Sequence, residues 1–428
     1  MPHTPRESRA RESIAVVGAG VSGLTAAHVL SVAHDVTVYE AEPRLGGHAH
    51  THDVTGPRGK PLRVDSGFIV HNDRTYPLLR RLFAELGVTV RPTEMSMSIH
   101  DESTGLAYAG GRGVLGFLAR PRQLVERDYL VMLASVRRFH REAGRFLDTA
   151  PEDDVTTYGE FIADRGFPAP FTQLYAVPLV ACVWSTEVGR ALDYPARHLF
   201  AFLRNHGMLS IGDSPQWFTV EGGSRTYVDA LAARLPDTRV STPVRAIMRH
   251  DDGVEITDEA GVSHLHDRVV VATHSDTALG LLADATSVEK EVLGAIRYTP
   301  NETVLHSDTS LLPSSRHVRS SWNYLVPDSA GSGAPIVTYW MNRLQGLPDE
   351  SPLLVTLNAT DRIDPAAVIA TMTYAHPLFD VAAIRAQRRL PELTTGRTAF
   401  AGAYHGWGFH EDGARAGVGA AAAFGVRW

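Results

Sequence analysis

Ile14-Ala-Val-Val-Gly18-Ala-Gly20-Val21-Ser22-Gly23 runs into Leu24-Thr-Ala-Ala-His-Val-Leu30, and a second apolar run, Val36-Thr-Val-Tyr39, ends at Glu40. The order is buried strand, glycine turn, helix, and a second strand closed by an acid, which reads as a dinucleotide-binding βαβ unit. The spacing has a physical origin. Gly18 permits the tight turn, Gly20 lets backbone N–H groups approach a pyrophosphate at the helix N-terminus, and Gly23 lets the helix pack close to the strand. Glu40 follows about twenty residues on, where a carboxylate accepts hydrogen bonds from an adenosine ribose. Val21, Ser22 and Ala41 complete the candidate nucleotide contacts of this stretch.

The chain continues Glu40-Ala41-Glu-Pro-Arg44-Leu-Gly46-Gly47-His48-Ala-His50-Thr51, which a plain NAD domain does not. Two glycines again allow close backbone approach, and Arg44 offsets phosphate charge beyond what a helix dipole supplies. The stretch resembles the signature of the flavin amine oxidase, protoporphyrinogen oxidase and phytoene desaturase superfamily: an acid, three residues, then Arg-x-Gly-Gly-Arg-x-x-Thr. Arg44, Gly46, Gly47 and Thr51 match it, and His48 stands where that family usually has arginine. Within the superfamily the chain is most similar to a bacterial subgroup of predicted NAD/FAD-binding proteins. The resemblance implies FAD as the cofactor, with His48 among its contacts.

Composition sets the outer bounds. The chain has 428 residues, 44% of them hydrophobic, enough for two or three core-bearing regions. A formal net charge of −7 without long like-charge blocks gives no electrostatic footprint for nucleic acid. The one cysteine, Cys182, excludes an internal disulfide and fits a reducing cytoplasm; its setting, Val180-Ala-Cys182-Val-Trp184, reads as a buried thiol. Arg9 and Arg11 precede an apolar stretch as in a secretory leader, but the phosphate-binding glycines interrupt that stretch. No run approaches the eighteen or so apolar residues of a spanning helix, so the expectation is a cytoplasmic monomer or homodimer, with peripheral membrane contact left open.

Further along, Val64-Asp65-Ser-Gly67-Phe-Ile-Val70 reads as a short strand with a glycine kink, and Pro77 opens an amphipathic helix that Gly87 ends after Leu86. From about Gly111 to Asn205 the pattern is mainly helical, with Phe117-Leu118-Ala119, Tyr129-Leu-Val-Met-Leu and Phe161-Ile as its apolar stretches, like an inserted helical cap. Gly222-Gly223 then opens a helix after the strand-like Trp217-Phe-Thr-Val220. Gly253-Val-Glu-Ile-Thr257, a Gly261 turn and Arg268-Val-Val-Val read as strands and their connection. Before them, in Arg239-Val-Ser-Thr-Pro-Val244-Arg-Ala-Ile247, lies Val244, which the resemblance places where family members pair backbone groups with the adenine. Ile336-Val-Thr-Tyr-Trp340 and Leu353-Leu-Val-Thr-Leu357 supply strands for a substrate-domain sheet. The expected fold class is α/β: a Rossmann-like FAD-binding domain of residues 1–90, 205–290 and 385–428, with an inserted α+β substrate domain and helical cap of residues 91–204 and 291–384.

The chain ends on Thr398-Ala-Phe400-Ala-Gly402-Ala-Tyr404-His405-Gly406-Trp407-Gly408-Phe409-His410-Glu411-Asp412-Gly413-Ala414-Arg415-Ala-Gly417. A strand meets a glycine-rich turn that feeds a small-residue helix, whose N–H groups point toward flavin or phosphate in this arrangement. It resembles the superfamily's closing FAD motif. That resemblance assigns Gly402, Glu411, Asp412 and Ala414 to the cofactor and turns Trp407 and Phe409 toward the isoalloxazine.

Three further readings concern chemistry. His405 and His410 flank the expected flavin face and are the candidate acid–base groups, with hydrogen bonding to FAD or plain packing as the alternative. His48, His50 and His52 alternate on one face of an extended segment, but no Cys or carboxylate partner has metal-ligand spacing, so no metal is expected. Amine-oxidising members of the family typically hold a lysine near flavin N5; here that region reads Arg297-Tyr-Thr-Pro-Asn301-Glu302-Thr303, and Lys290 lies nearby in a helical stretch. The family's covalent cysteine is missing from the closing motif as well, which implies non-covalent FAD. The expected reaction is hydride transfer from a C–H bond of a small lipophilic substrate, such as a fatty-acyl chain, to flavin N5. Amine oxidation releasing hydrogen peroxide, double-bond isomerisation and a non-catalytic FAD-binding role are the alternatives.

Overall fold

The computed structural model describes residues 11–111, 116–117, 121–184, 188–209, 214–327 and 335–428. Arg9, Leu118 and Ala119, used in the sequence reading, lie outside the described residues. The chain forms two compact units, one of Met1–Gly47, Tyr227–Ala295 and Ala386–Trp428, the other of His48–Thr226 and Ile296–Arg385.

The first unit is built on a five-stranded parallel sheet in the spatial order Asp237–Arg239, Asp35–Tyr39, Ser13–Val17, Arg268–Val271, Thr398–Phe400. Val16 lies between Val38 on one neighbour and Val270 on the other. Ile14, Ala15 and Val16 are fully buried, as strands covered on both faces must be, and this is why the sequence marks them as a continuous apolar run. The glycine turn leads into helix Val21–Leu30, and the closing helix, His410–Ala423, packs along it through small residues. A Cβ on Gly413 would lie 2.6 Å from Val21 Cγ1, and one on Gly417 would overlap Ser22 O. An antiparallel meander of Val244–Arg249, Val254–Asp258 and Ser263–His266 completes the unit.

The second unit centres on a seven-stranded sheet in the order Val368–Pro377, Tyr298–His306, Leu354–Leu357, Ile336–Trp340, Trp322–Val326, Met97–Asp101, Ala107–Gly110. Its pairs are antiparallel except Trp322–Val326 with Met97–Asp101. Helix Arg127–Thr149 buries Tyr129, Met132, Ser135, Phe139, Ala143 and Leu147, steps of three and four that define one face. Tyr129 and Met132 pack with Ile99, Tyr108, Cys182, Tyr324 and Val337, so this helix caps the sheet. Phe139 sits 5.4–5.9 Å from the rings of Tyr158, Phe171 and Phe200, an aromatic core beneath the cap.

Two expectations change here. The stretch from Val64 to Val70 is not one kinked strand but two, Pro61–Asp65 paired with Thr51–Thr55, and Val70–Asn72 paired with Trp217–Val220. Between them Ser66 N–H donates to His50 O and Phe68 N–H to His48 O, and a Cβ on Gly67 would overlap His48 O. Residues 48–90 and 205–226 fall in the second compact unit, whereas the sequence reading groups them with the dinucleotide-binding domain. Periodicity identifies a strand but not the sheet that it joins. Among the described residues no helix is long and apolar enough to cross a membrane.

Candidate functional site

In the first unit the glycine turn is held from both sides. Gly18, at φ +99°, donates its N–H to Tyr39 O at 2.8 Å, and a Cβ there would lie 2.9 Å from Ala272 O. A Cβ on Gly23 would overlap Gly18 O, so helix and strand touch at this point. Gly20 differs from both. The position of its missing Cβ has nothing within 4 Å, and no side chain caps the helix that starts at Val21. The helix therefore begins, at the positive end of its dipole, beside open space at Gly20, a cradle that fits a phosphate.

Glu40 organises that cradle. Its Oε2 accepts the Ala19 N–H at 2.8 Å and its Oε1 the Glu42 N–H at 2.9 Å, which leaves lone pairs on both oxygens for a sugar hydroxyl. Arg44 Nη1 donates to Gly47 O at 2.8 Å and Gly46 N–H to Ala19 O at 2.8 Å, so the second glycine turn is clipped onto the first. Thr242 N–H donates to Glu40 O at 2.8 Å, and the segment then enters the strand that begins at Val244. Ala41 is exposed beside the acid.

The closing motif is organised by Asp412. Its Oδ2 accepts the N–H groups of Trp407 at 3.0 Å and Phe409 at 3.1 Å, and its Oδ1 accepts Arg415 Nη1 at 3.1 Å. Burial raises its carboxyl above the usual range, opposed by those donors. Asp412 thus shapes the turn that carries Trp407 and Phe409. Gly402 closes the strand Thr398–Phe400, while Glu411 and Ala414 are buried in the helix, Glu411 within 3.8 Å of Arg415.

The two candidate acid–base histidines are separated by this geometry. His410 Nε2 lies 3.0 Å from Tyr227 OH, and burial pushes its imidazole down to about 3. His405 is pushed down to about 4 by burial and lines a small cleft with Pro391, Thr394, Phe400, Asp412 and Arg415. Both are neutral at physiological pH, and His410 is committed to a hydrogen bond inside its own unit.

The second unit gathers polar groups that the sequence reading did not connect. Tyr374 OH lies 2.7 Å from Ser66 Oγ and 3.1 Å from His50 Nδ1, and Ser66 Oγ lies 2.8 Å from His52 Nε2. The His48 ring packs 4.9 Å from Tyr374 and 5.9 Å from His376. Asn301 Nδ2 lies 2.9 Å from His376 Nδ1, and Asn358 Nδ2 donates to Asn301 Oδ1 at 2.8 Å. Tyr374 and His376 stand on the edge strand Val368–Pro377, whose alternate residues Ile369, Thr371 and Thr373 are exposed and whose inward positions are partly polar. That mixed pattern left the strand without a hydrophobic signature. Nearby, Asp65 accepts from Thr51 Oγ1, Ser224 Oγ and Gln345 Nε2, and burial pushes it up to about 6. Among the described residues no group of His, Cys, Asp and Glu is arranged to hold a metal ion. Cys182 is buried, its thiol pushed up to about 12.

A parallel sheet with an uncapped helix N-terminus over a glycine turn, and an acid bonded to that turn, defines a dinucleotide-binding α/β protein. The family model for flavin containing amine oxidoreductases matches residues 21–306, more than half of the chain. The chain belongs to this family, whose members are flavin-dependent oxidoreductases, with FAD as their cofactor. It is 29% identical over 319 residues to the flavin-dependent L-tryptophan oxidase RebO of Lentzea aerocolonigenes, a match covering 68% of this chain and 64% of that one. The chain therefore spans less than two thirds of that relative's length. In fold it is similar to a putrescine oxidase bound to putrescine, with TM-score 0.69, 16% identity, and coverage of 98% of this chain and 100% of the other. A fatty acid isomerase from P. acnes, described as producing CLA, matches with TM-score 0.66 and 18% identity over 95% and 97% of the two chains.

Proposed function

We propose that the protein is an FAD-dependent dehydrogenase that takes a hydride from a C–H bond of a lipophilic small molecule, with fatty-acyl chains as the leading class. The observation that carries this reading is the buried face of strand Tyr298–His306, which presents Asn301, Thr303 and Leu305 and no amine. The chain's two lysines lie elsewhere, Lys60 in the connection of a hairpin and Lys290 in helix Ser287–Gly294. The likeness in fold to a fatty acid isomerase supports testing lipid chains first.

Non-covalent FAD supplies the hydride acceptor when bound. The residues that would hold it are Gly18, Gly20, Val21, Ser22 and Gly23 at the phosphates, Glu40 and Ala41 at the ribose, Val244 at the adenine, and Arg44, Gly46, Gly47 and His48 along the chain that follows. Gly402, Trp407, Phe409, Glu411, Asp412 and Ala414 complete the set, with Asp412 acting through the turn that it shapes. The protein's part in the chemistry is orientation, exclusion of water and the handling of one proton.

The test is anaerobic bleaching of the flavin spectrum against panels of acyl lipids, amines and amino acids. Bleaching by lipids supports the dehydrogenase. Bleaching only by amines or amino acids, with peroxide formed in air, moves the assignment to the oxidase reading, which the 29% identity to a tryptophan oxidase favours. A lipid whose double bond moves without consumption of an acceptor identifies an isomerase. A protein that cannot be loaded with FAD overturns the proposal.

A further inference from the structure

Three large apolar side chains of the second unit stand in solvent close together in the chain: Leu124 at 52%, Val125 at 79% and Leu130 at 43% exposure. Leu124 and Val125 end the turn Pro121–Val125, which Gln123 pins to the sheet, being 1% exposed with its Nε2 donating to Ala107 O at 2.8 Å. The two residues after it are left facing outward. Glu126 is the N-cap of helix Arg127–Thr149, so Val125 and Leu130 occupy the positions on either side of a helix start that meet in a hydrophobic staple. A staple alone explains their spacing, not their exposure. Phe117, 39% exposed, is held near the same helix start by Tyr129 OH, which donates to its carbonyl at 2.7 Å.

The helix presents arginine on the same side as Leu130. Arg127, Leu130, Ala134, Arg137 and Arg141 follow at steps of three and four and are all exposed, opposite the buried Tyr129, Met132, Ser135, Phe139 and Ala143. The acids of the helix do not neutralise this stripe. The Glu142 side chain, 13% exposed, lies 3.4 Å from Arg141, 3.3 Å from Arg145 and 3.5 Å from Arg165, and Asp148 pairs with Arg204 at 3.0 Å. Asp128 is rotated away from the stripe, and Glu126, 3.8 Å from Arg122, precedes it. Among the described residues Arg127 and Arg137 form no ion pair.

We propose that this face docks on an anionic phospholipid bilayer, with Leu124, Val125 and Leu130 entering the boundary between headgroups and acyl chains and Arg127 and Arg137 meeting lipid phosphates. The inference goes beyond the dehydrogenase reading and does not rest on it. Apolar side chains beside cations on one face of a helix suit an interface in which apolar burial and attraction to anionic headgroups add. The whole chain carries a formal charge of −7, so a local basic cluster would also fix the orientation in which it meets an anionic surface. A second copy of the chain fits this face less well. A two-fold contact would set arginines near arginines, and so few apolar side chains fall short of the ~800 Å² that each partner of a stable interface buries.

Flotation of the full chain with vesicles tests the proposal. Binding is expected with phosphatidylcholine mixed with phosphatidylglycerol, should be weak with phosphatidylcholine alone, and should fall as salt is raised. Leu124→Gln, Val125→Gln and Leu130→Gln combined, and separately Arg127→Glu with Arg137→Glu, should each weaken binding to the mixed vesicles on the order of tenfold or more at unchanged melting temperature. Leu265→Gln removes an apolar side chain, 75% exposed, from the first unit and should change nothing. Insertion is read separately. Cys182 is buried, so a fluorophore attached through Val125→Cys labels one site, and its emission should shift to the blue on mixed vesicles. No binding by the wild type, binding that neither set of substitutions lowers, an equal loss in Leu265→Gln, or an unshifted label overturns the proposal. Self-association that the apolar substitutions abolish, without vesicle binding, overturns it in favour of a second copy.

Discussion

The Asp412 carboxylate accepts the backbone N–H groups of both Trp407 and Phe409, at 3.0 and 3.1 Å, from one turn further along the chain. Removing it takes a charged acceptor from two partly buried donors, at about 1–3 kcal/mol each. Asp412→Ala should therefore lower the affinity for FAD at least tenfold, measured by titrating apoprotein with FAD, while Asp412→Asn, which keeps one acceptor oxygen, should fall between Ala and wild type. Equal affinity in all three proteins would mean that the turn does not position the cofactor.

Gly20 and Gly23 should separate binding from folding. A methyl group on Gly23 overlaps Gly18 O, so Gly23→Ala should destabilise the first unit by about 1–3 kcal/mol or more and lower the melting temperature. Gly20 has φ −71°, which alanine adopts without strain, and its Cβ position is open. Gly20→Ala should melt like the wild type yet bind FAD at least tenfold more weakly. Loss of fold in Gly20→Ala, or normal FAD binding by it, would contradict the phosphate cradle.

His410 is held neutral by burial and bonded to Tyr227 OH. His410→Gln keeps a polar group for that hydroxyl, and the pH profile of flavin reduction should superimpose on the wild-type profile between pH 5 and pH 9. Disappearance of an inflection near the ordinary histidine value of roughly 6.5 would instead make His410 a catalytic acid or base.

Fully buried His306 donates or accepts at Thr356 Oγ1, 2.7 Å away, and burial pushes it down to about 4. A lowered folded value means that unfolding takes up a proton as the pH drops. Its stability contribution is present above the unfolded value of roughly 6.5 and is lost as the pH falls toward 4, with a slope of up to about 1.4 kcal/mol per pH unit. Urea unfolding at pH 7.5, 6 and 5 should show His306→Gln with a shallower loss than the wild type. Parallel curves would show that the histidine does not titrate on unfolding.

The legible parts of this protein are those whose chemistry is local in sequence. Strand Ser13–Val17 is buried on both faces and so reads as an apolar run, and Gly18, Gly20 and Gly23 lie within six residues of one another because one turn needs all three. The closing motif reads equally well, since Gly413 and Gly417 mark the face that packs on helix Val21–Leu30. The candidate acid–base pair shows the limit. His405 and His410 have the right residue type in the right motif, but the partner that occupies His410, Tyr227, is remote in sequence, and nothing near either residue announces the hydrogen bond.

The sequence by itself determined the dinucleotide-binding unit and the helical cap, because glycine spacing and apolar periodicity are properties of single segments, and the flavin family entered through the resemblance of the Arg44–Thr51 stretch and the closing motif to known members. Only the tertiary structure decided which sheet each strand joins and which polar groups meet. Val64 and Val70 look like one strand and belong to two sheets, since hydrogen bonds from Ser66 and Phe68 to His50 and His48 turn the backbone between them. Ser66 and Tyr374 are 308 positions apart and belong to segments of different sheets, so their hydroxyls come within 2.7 Å only through tertiary packing, of which neither segment carries a record in its own residues.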